Sequence, residues 1–176
     1  KLSFGFSSTP LFQNISFSLK ENCHCALIGS NGTGKTTLMN LIREPEAFVF
    51  DGSLKLEGAG RIGHVSQFAI REGDQSITVY DYLCQDFLAL EQSISQVCME
   101  METAEDIDWL MTRYQQLLDE SDAMDADNYE LNIRRQLQLA ELEGKENLPL
   151  EALSGGELKL VQVIRQMLRR PGLLIM

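Results

Sequence analysis

The sequence predicts an α/β fold, and three observations predict it. A compact apolar run, Cys25-Ala26-Leu27-Ile28, reads as a strand buried on both faces. A glycine-rich turn follows, and from Lys35 the apolar residues Leu38, Leu41 and Ile42 recur at helical spacing. Around this strand-turn-helix unit, alternating stretches near the N-terminus and after Asp51-Gly52 give way to a helical pattern from Thr78 to about Glu143.

Taken in order, residues 1–28 alternate apolar and polar side chains around two turn-like clusters, Ser7-Ser8-Thr9-Pro10 and Glu21-Asn22, with Phe12, Ile15 and Phe17 between them. Short strands are expected there. The helix beginning at Lys35 is expected to stop at Pro45, whose ring disfavours helix in the preceding residue. Leu54, Leu56, Ile62 and Val65 suggest a second set of strands ending near Gln67. Beyond Thr78, Leu110, Met111, Tyr114 and Leu117-Leu118 are spaced for one helix, and Leu131, Ile133, Leu137 and Leu139 for another. The acidic stretch Asp119-Glu120-Ser121-Asp122-Ala123-Met124-Asp125 reads as the polar break between them.

The chain has 176 residues, 44% of them apolar and 23% charged, which suits one domain with a hydrophobic core and room for an insertion. No apolar run reaches the length of a membrane span, and the opening KLSFGFSSTP lacks the charged-then-apolar layout of a signal peptide. A soluble cytoplasmic protein is expected. Cys23, Cys25, Cys84 and Cys98 form neither a disulfide framework nor a zinc pattern, so reduced thiols are expected. His64 and the Cys23-His24-Cys25 cluster are not read as metal ligands. In an alternating strand His24 would point away from both cysteines, and no second ligand pair accompanies them.

A net charge of −11 argues against nonspecific nucleic-acid binding, but the charge is unevenly spread. Tyr80 to Leu150 carries 17 acidic and 4 basic side chains, a net of −13, while the remainder is +2. The middle of the chain therefore reads as an acidic insertion or subdomain.

Gly29-Ser30-Asn31-Gly32-Thr33-Gly34-Lys35-Thr36, with Thr37 next, fits the phosphate-loop pattern G-x-x-x-x-G-K-[ST] at every fixed position. Glycines let backbone N–H groups turn toward phosphate oxygens without a Cβ in the way, and the helix that starts there adds its positive end. Lys35 is the expected contact to the β- and γ-phosphates. The Thr36 hydroxyl is the expected ligand of Mg²⁺, an ion that keeps most of its waters and takes few protein ligands. ATP and Mg²⁺ are the expected cofactors.

Leu153-Ser154-Gly155-Gly156-Glu157 opens a second helical pattern. A phosphate loop followed by LSGGE resembles the nucleotide-binding domain of the ATP-binding cassette (ABC) ATPases, whose signature motif is this pentapeptide, and the resemblance covers essentially the whole chain. It implies a P-loop NTPase of the ABC-cassette type, with an N-terminal antiparallel β subdomain and a helical subdomain. Residues 1–79 would form the β subdomain and phosphate-loop core, 80–150 the acidic helical subdomain, and 151–176 the signature helix and the start of the Walker B strand. Ser154, Gly155, Gly156 and Glu157 would contact the nucleotide held by a second cassette. Ser followed three residues later by Glu is also a helix-capping box in its own right.

The same resemblance assigns Gln67, at the end of RIGHVSQ, as the Q-loop glutamine that ligates Mg²⁺ and senses the γ-phosphate; Lys35 and Gln67 would be the catalytic pair. Phe6, with Phe4 close by, stands where the family stacks an aromatic on adenine. Leu160 departs from the basic residue many relatives carry in the signature helix. RRPGLLIM matches the Walker B strand, which in the family leads into the Asp and Glu that hold Mg²⁺ and polarise water. The sequence stops at Met176 before either. The expectation is a cassette incomplete at its C-terminus, which binds nucleotide without turnover.

Two kinds of ABC protein remain open. The short strand segment after the phosphate loop, GRIGHVSQ leading to TVYDYL, and the helical pair before LSGGE resemble the first cassette of an ABC-F-type protein, a soluble tandem-cassette factor acting on the ribosome in translation or antibiotic resistance. The alternative is the motor subunit of a membrane transporter, peripheral to the membrane and partnered by transmembrane subunits. In either case residues 80–150 are too acidic to contact nucleic acid directly.

Overall fold

The computed structural model describes residues 1–6, 9–57, 60–66 and 76–176, and of Phe6 only the backbone. These residues divide into two compact units, Lys1–Ile62 with Ile175, and Gly63–Leu174 with Met176.

In the first unit, β1 (Leu2–Phe6) is the middle strand of an antiparallel sheet, flanked by β2 (Thr9–Ile15) and β3 (Asp51–Gly52). Strand alternation sends Leu2 and Phe4 inward, where they meet Leu38 and Leu41 of helix α1 (Lys35–Arg43). The Phe4 ring lies 5.9 Å from Phe12 and 5.6 Å, edge-on, from Phe48. Phe4 is therefore a core residue. Gly52 permits the β1–β3 approach: its φ is 110°, and a Cβ there would fall 1.9 Å from the Lys1 carbonyl oxygen.

Cys25-Ala26-Leu27-Ile28 is not the buried strand that its composition predicts. Residues 16–30 carry no helix or strand, and Ile28 is 90% exposed. A strand buried on both faces needs a hydrogen-bonded neighbour and helices above and below it. Among the described residues none pairs with this run, because the sheets contain only β2-β1-β3 and β4-β5. The second expected strand set is likewise reduced: Leu54 and Leu56 lie outside strands, and β4 spans only Ile62–His64.

The second unit is mostly helical. Helix α2 (Val79–Met101) packs against α3 (Asp108–Met124) and α5 (Gly155–Leu168), and α4 (Tyr129–Leu139) packs against α5. Leu83, Leu110, Ile133, Leu137 and Val161 are fully buried at the centre of its core. Thr78 caps α2, accepting the Asp81 N–H at 3.0 Å and donating its hydroxyl to the Asp81 carboxylate at 2.7 Å. β5 (Leu173–Ile175), from the run expected as a strand, pairs with β4.

Three helices, rather than two, fill the acidic region. The stretch from Asp119 to Met124 is no break: α3 runs through it and ends at Asp125, whose φ of 55° is left-handed. Asp119 and Asp122 lie on the exposed face while Leu117 and Met124, seven residues apart, are buried on the other. The other break, earlier in the region between Met101 and Asp108, has no apolar periodicity to announce it. In α4 the buried stripe is Tyr129, Ile133 and Leu137, four residues apart, so Leu131 and Leu139 fall on the far side and are exposed, as is Met111 in α3.

Candidate functional site

The phosphate-loop sequence folds as a turn that leads directly into α1. Gly32 and Gly34 have φ of 83° and 87°, a region that side chains with a Cβ enter only under strain. Gly34 is the N-cap of α1, and its carbonyl accepts the Leu38 N–H at 2.8 Å. A Cβ at Gly34 would also press on the Leu11 side chain at 2.8 Å. Lys35 turns back over the loop, its Nζ donating to the carbonyls of Gly29 at 2.8 Å and Ser30 at 2.7 Å. The Thr33 hydroxyl donates to Ser30 O at 2.9 Å, which closes the turn.

No side chain caps α1. Its first-turn N–H groups, those of Lys35, Thr36 and Thr37, precede the first helical bond and have no intrahelical acceptor. Helices α2 and α5 have Thr78 and Ser154 for this purpose. Together with an exposed Thr36 hydroxyl and the Lys35 ammonium, α1 thus presents open donors and a cation at one helix end. That donor set suits a polyanion such as a triphosphate.

LSGGE lies at the start of α5 as a complete capping box. Ser154 Oγ accepts the Glu157 N–H at 3.4 Å, and the Glu157 carboxylate accepts the Ser154 N–H at 2.7 Å. Gly155 and Gly156 are exposed, and a Cβ on either would meet nothing. Glu157 also accepts a hydrogen bond from Lys145, in the segment between α4 and α5. The Lys145 ammonium, with the two Ser154 bonds, holds the Glu157 carboxyl down at about 2.

The sequence profile of the ABC transporter family matches residues 12–176, so the phosphate loop and the capped LSGGE helix stand within one family domain. This chain belongs to the ABC transporter family. It is an ATP-binding cassette domain of the P-loop NTPase class, mixed α/β with a small antiparallel sheet. It is 29% identical over 99% of its length to the Bacillus subtilis "uncharacterized ABC transporter ATP-binding protein YfmM", covering 34% of that protein. It is 27% identical over 97% of its length to the Escherichia coli "ATP-binding protein Uup", covering 26% of it. A Thermotoga maritima "probable metal transport system ATP-binding protein" is 24% identical over 99% of the chain and 58% covered. The cassette therefore spans about a quarter to a third of the length of the first two relatives.

Of the remaining site residues, Gln67 lies outside the described residues, and so does the Phe6 side chain. The backbone just before Gln67 is held by the signature helix: Lys159 Nζ donates to the Ser66 carbonyl, and the His64 N–H donates to Gln166 Oε1 at 3.2 Å. These contacts of Lys145, Lys159 and Gln166 are not legible in the sequence. Each acts on a partner 12 or more residues away, and no local pattern marks such contacts. Leu160 is exposed on the same helix. Cys23 and Cys25 place their sulfurs 3.8 Å apart, with both thiols free. No helix among the described residues is long and apolar enough to cross a membrane, and none of their His, Cys, Asp and Glu side chains gather in threes around a metal position.

Proposed function

We propose that this cassette binds Mg-ATP on the Gly29–Thr36 loop and, within its complete protein, takes part in ATP hydrolysis that drives a conformational change. The observation that carries the reading is the uncapped start of α1, where left-handed Gly32 and Gly34 shape the turn and Lys35 lies over it. Ser30, Asn31, Thr33 and Thr37 line the phosphates with the loop glycines, and Lys35 neutralises the outer ones. Mg²⁺, when bound, neutralises phosphate charge and orients the terminal phosphoryl group. Thr36 would hold it, with Gln67 as a second oxygen ligand and Lys35 as catalytic partner. A single hydroxyl and one amide suit an ion that takes most of its ligands from water and phosphate. Phe6 would stack on adenine. Ser154, Gly155, Gly156 and Glu157 would close on the nucleotide of a second cassette.

The full protein is read as an ABC-F-type, cytoplasmic, tandem-cassette factor that works on the ribosome, with this segment as its first cassette and residues 80–150 as its acidic helical subdomain. YfmM and Uup are long enough to hold a second cassette, which supports this arrangement. The transporter motor is the second reading, favoured by the likeness to the Thermotoga maritima transport protein, of which this cassette covers more than half.

Calorimetric titration of the full-length protein with Mg-ATP tests the site. Lys35→Ala is expected to weaken binding at this loop by at least tenfold, a loss of about 1.4 kcal/mol or more. Unchanged affinity in a folded Lys35→Ala protein sinks the assignment. Co-sedimentation with ribosomes under ATP separates the two classes, since a transporter motor would remain in the supernatant.

A further inference from the structure

The LSGGE motif carries an electrostatic problem. Its fifth residue is a carboxylate in the first turn of the helix whose N-terminus, on the reading above, faces a triphosphate. A bare negative charge there opposes the phosphate that the helix end attracts. The capping box does not remove it, because its bonds to Ser154 leave the carboxylate ionised. Lys145 does. Its ammonium reaches Glu157 Oε1 from outside the motif, with 36% of its side chain and 26% of that of Glu157 exposed.

Lys145 is anchored to do this. Its N–H donates to Leu142 O at 3.2 Å, and its carbonyl accepts the Leu148 N–H at 3.0 Å, closing a tight turn. The residues that follow pair with the start of α2: the Val79 N–H donates to Leu148 O at 2.9 Å, the Tyr80 N–H to Glu146 O at 2.9 Å, and the Leu150 N–H to Ile77 O at 3.0 Å. Leu142 and Leu150, on either side of the turn, are buried in the helical core. The backbone that carries the ammonium is therefore anchored on both sides, within reach of Glu157.

We propose that Lys145 is a positioning residue of the signature motif, which neutralises Glu157 so that the Ser154-Gly155-Gly156 end of α5 can receive the triphosphate held by a second cassette. This rests on the nucleotide-binding reading above. Lys145 touches no nucleotide itself. It acts through Glu157, and its worth depends on Glu157 carrying a charge. Glutamine at that position would keep the bond to the Ser154 N–H through its amide oxygen and have no charge to neutralise.

The test is a double-mutant cycle in the full-length protein, read by titration with a fluorescent ATP analogue in Mg²⁺. Lys145→Met in the Glu157 background is expected to weaken the nucleotide site that includes this signature by about three- to tenfold, the loss shrinking as salt rises from about 0.05 to 0.5 M. Lys145→Arg is expected to keep the affinity. In the Glu157→Gln background, Lys145→Met is expected to change it by less than twofold. An equal loss in both backgrounds, or no loss in the first, overturns the proposal. If Lys145→Met does not fold, Lys145→Arg and the double variant Lys145→Gln with Glu157→Gln carry the comparison, and a salt-independent loss in the latter overturns it. Failure of the unmutated protein to bind the analogue would overturn the parent reading and this proposal with it.

Discussion

The Arg165 guanidinium of α5 grips both carboxylate oxygens of Asp86 on α2, with Nε 3.0 Å from one and Nη2 2.9 Å from the other. The same guanidinium sits 4.5 Å above the Tyr82 ring. Burial opposes its charge, but the bonds and attraction of Asp86 outweigh that and push its pKa up. Ten residues beyond Gly155, the signature helix is thus locked to the helical subdomain by a planar fork that lysine cannot reproduce.

Arg165→Met should therefore lower unfolding stability by about 1–3 kcal/mol, and Arg165→Lys should recover only part of it. Urea denaturation followed by circular dichroism measures both. Equal stability of all three proteins would remove this pair from the account of how α2 and α5 stay together.

Tyr129 is buried at the start of α4, stacked on Phe87 at 4.8 Å between centroids, and its hydroxyl donates to Leu83 O at 2.7 Å. Tyr129→Phe keeps the stack and loses the bond, so a destabilisation of about 1 kcal/mol is expected. Tyr129→Ala loses the ring as well and should reach about 3–5 kcal/mol. Similar denaturation midpoints for the two variants would mean that the ring contributes little.

Gly34→Ala and Gly32→Ala both force an alanine into a left-handed turn, at about 1–2 kcal/mol each. Only Gly34 also has the Leu11 side chain 2.8 Å from where the Cβ would go, whereas Gly32 has open space. Gly34→Ala should be the more destabilising of the two by thermal melting. Equal melting temperatures would show that Leu11 moves aside freely, and the opposite order would contradict the crowding at Gly34.

Glu157 titrates at about 2 against a usual 4.5, so its partners stabilise the fold only while it is ionised. Their contribution is complete above pH 4.5 and fades as pH falls toward 2. The difference in stability between the unmutated protein and Lys145→Met should thus be constant above about pH 5 and narrow on acidification. A difference that widens as pH falls would contradict the ion pair.

On the ribosome-factor reading proposed above, charge neutralisation in the acidic region should leave any co-sedimentation with ribosomes intact or strengthen it, because a net −13 stretch repels RNA. Asp119, Glu120 and Asp122 are the side chains to change. Asp125 is unsuitable, because its carboxylate accepts from Arg170 at 2.6 Å, Asn128 at 2.8 Å and Asn132 at 3.1 Å and closes α3. A several-fold loss of co-sedimentation in the triple Asn/Gln variant would place this surface on the ribosome.

The phosphate loop and LSGGE were legible in the sequence because their chemistry is local: a left-handed turn needs glycine, a capping box needs Ser and Glu three apart, and consecutive residues satisfy both demands. The start of α1 at Lys35 and its end before Pro45 follow from the same short-range rules. Tertiary structure decided the rest. Whether Cys25–Ile28 becomes a strand depends on a neighbour to take its backbone hydrogen bonds, and composition cannot supply one. Acidic residues from Asp119 to Asp122 look like a loop until Leu117 and Met124 bury the opposite face of the helix that carries them. Lys145 and Arg165 were invisible as partners of Glu157 and Asp86, since an ion pair across 12 or 79 residues exists only once packing has brought the two ends together.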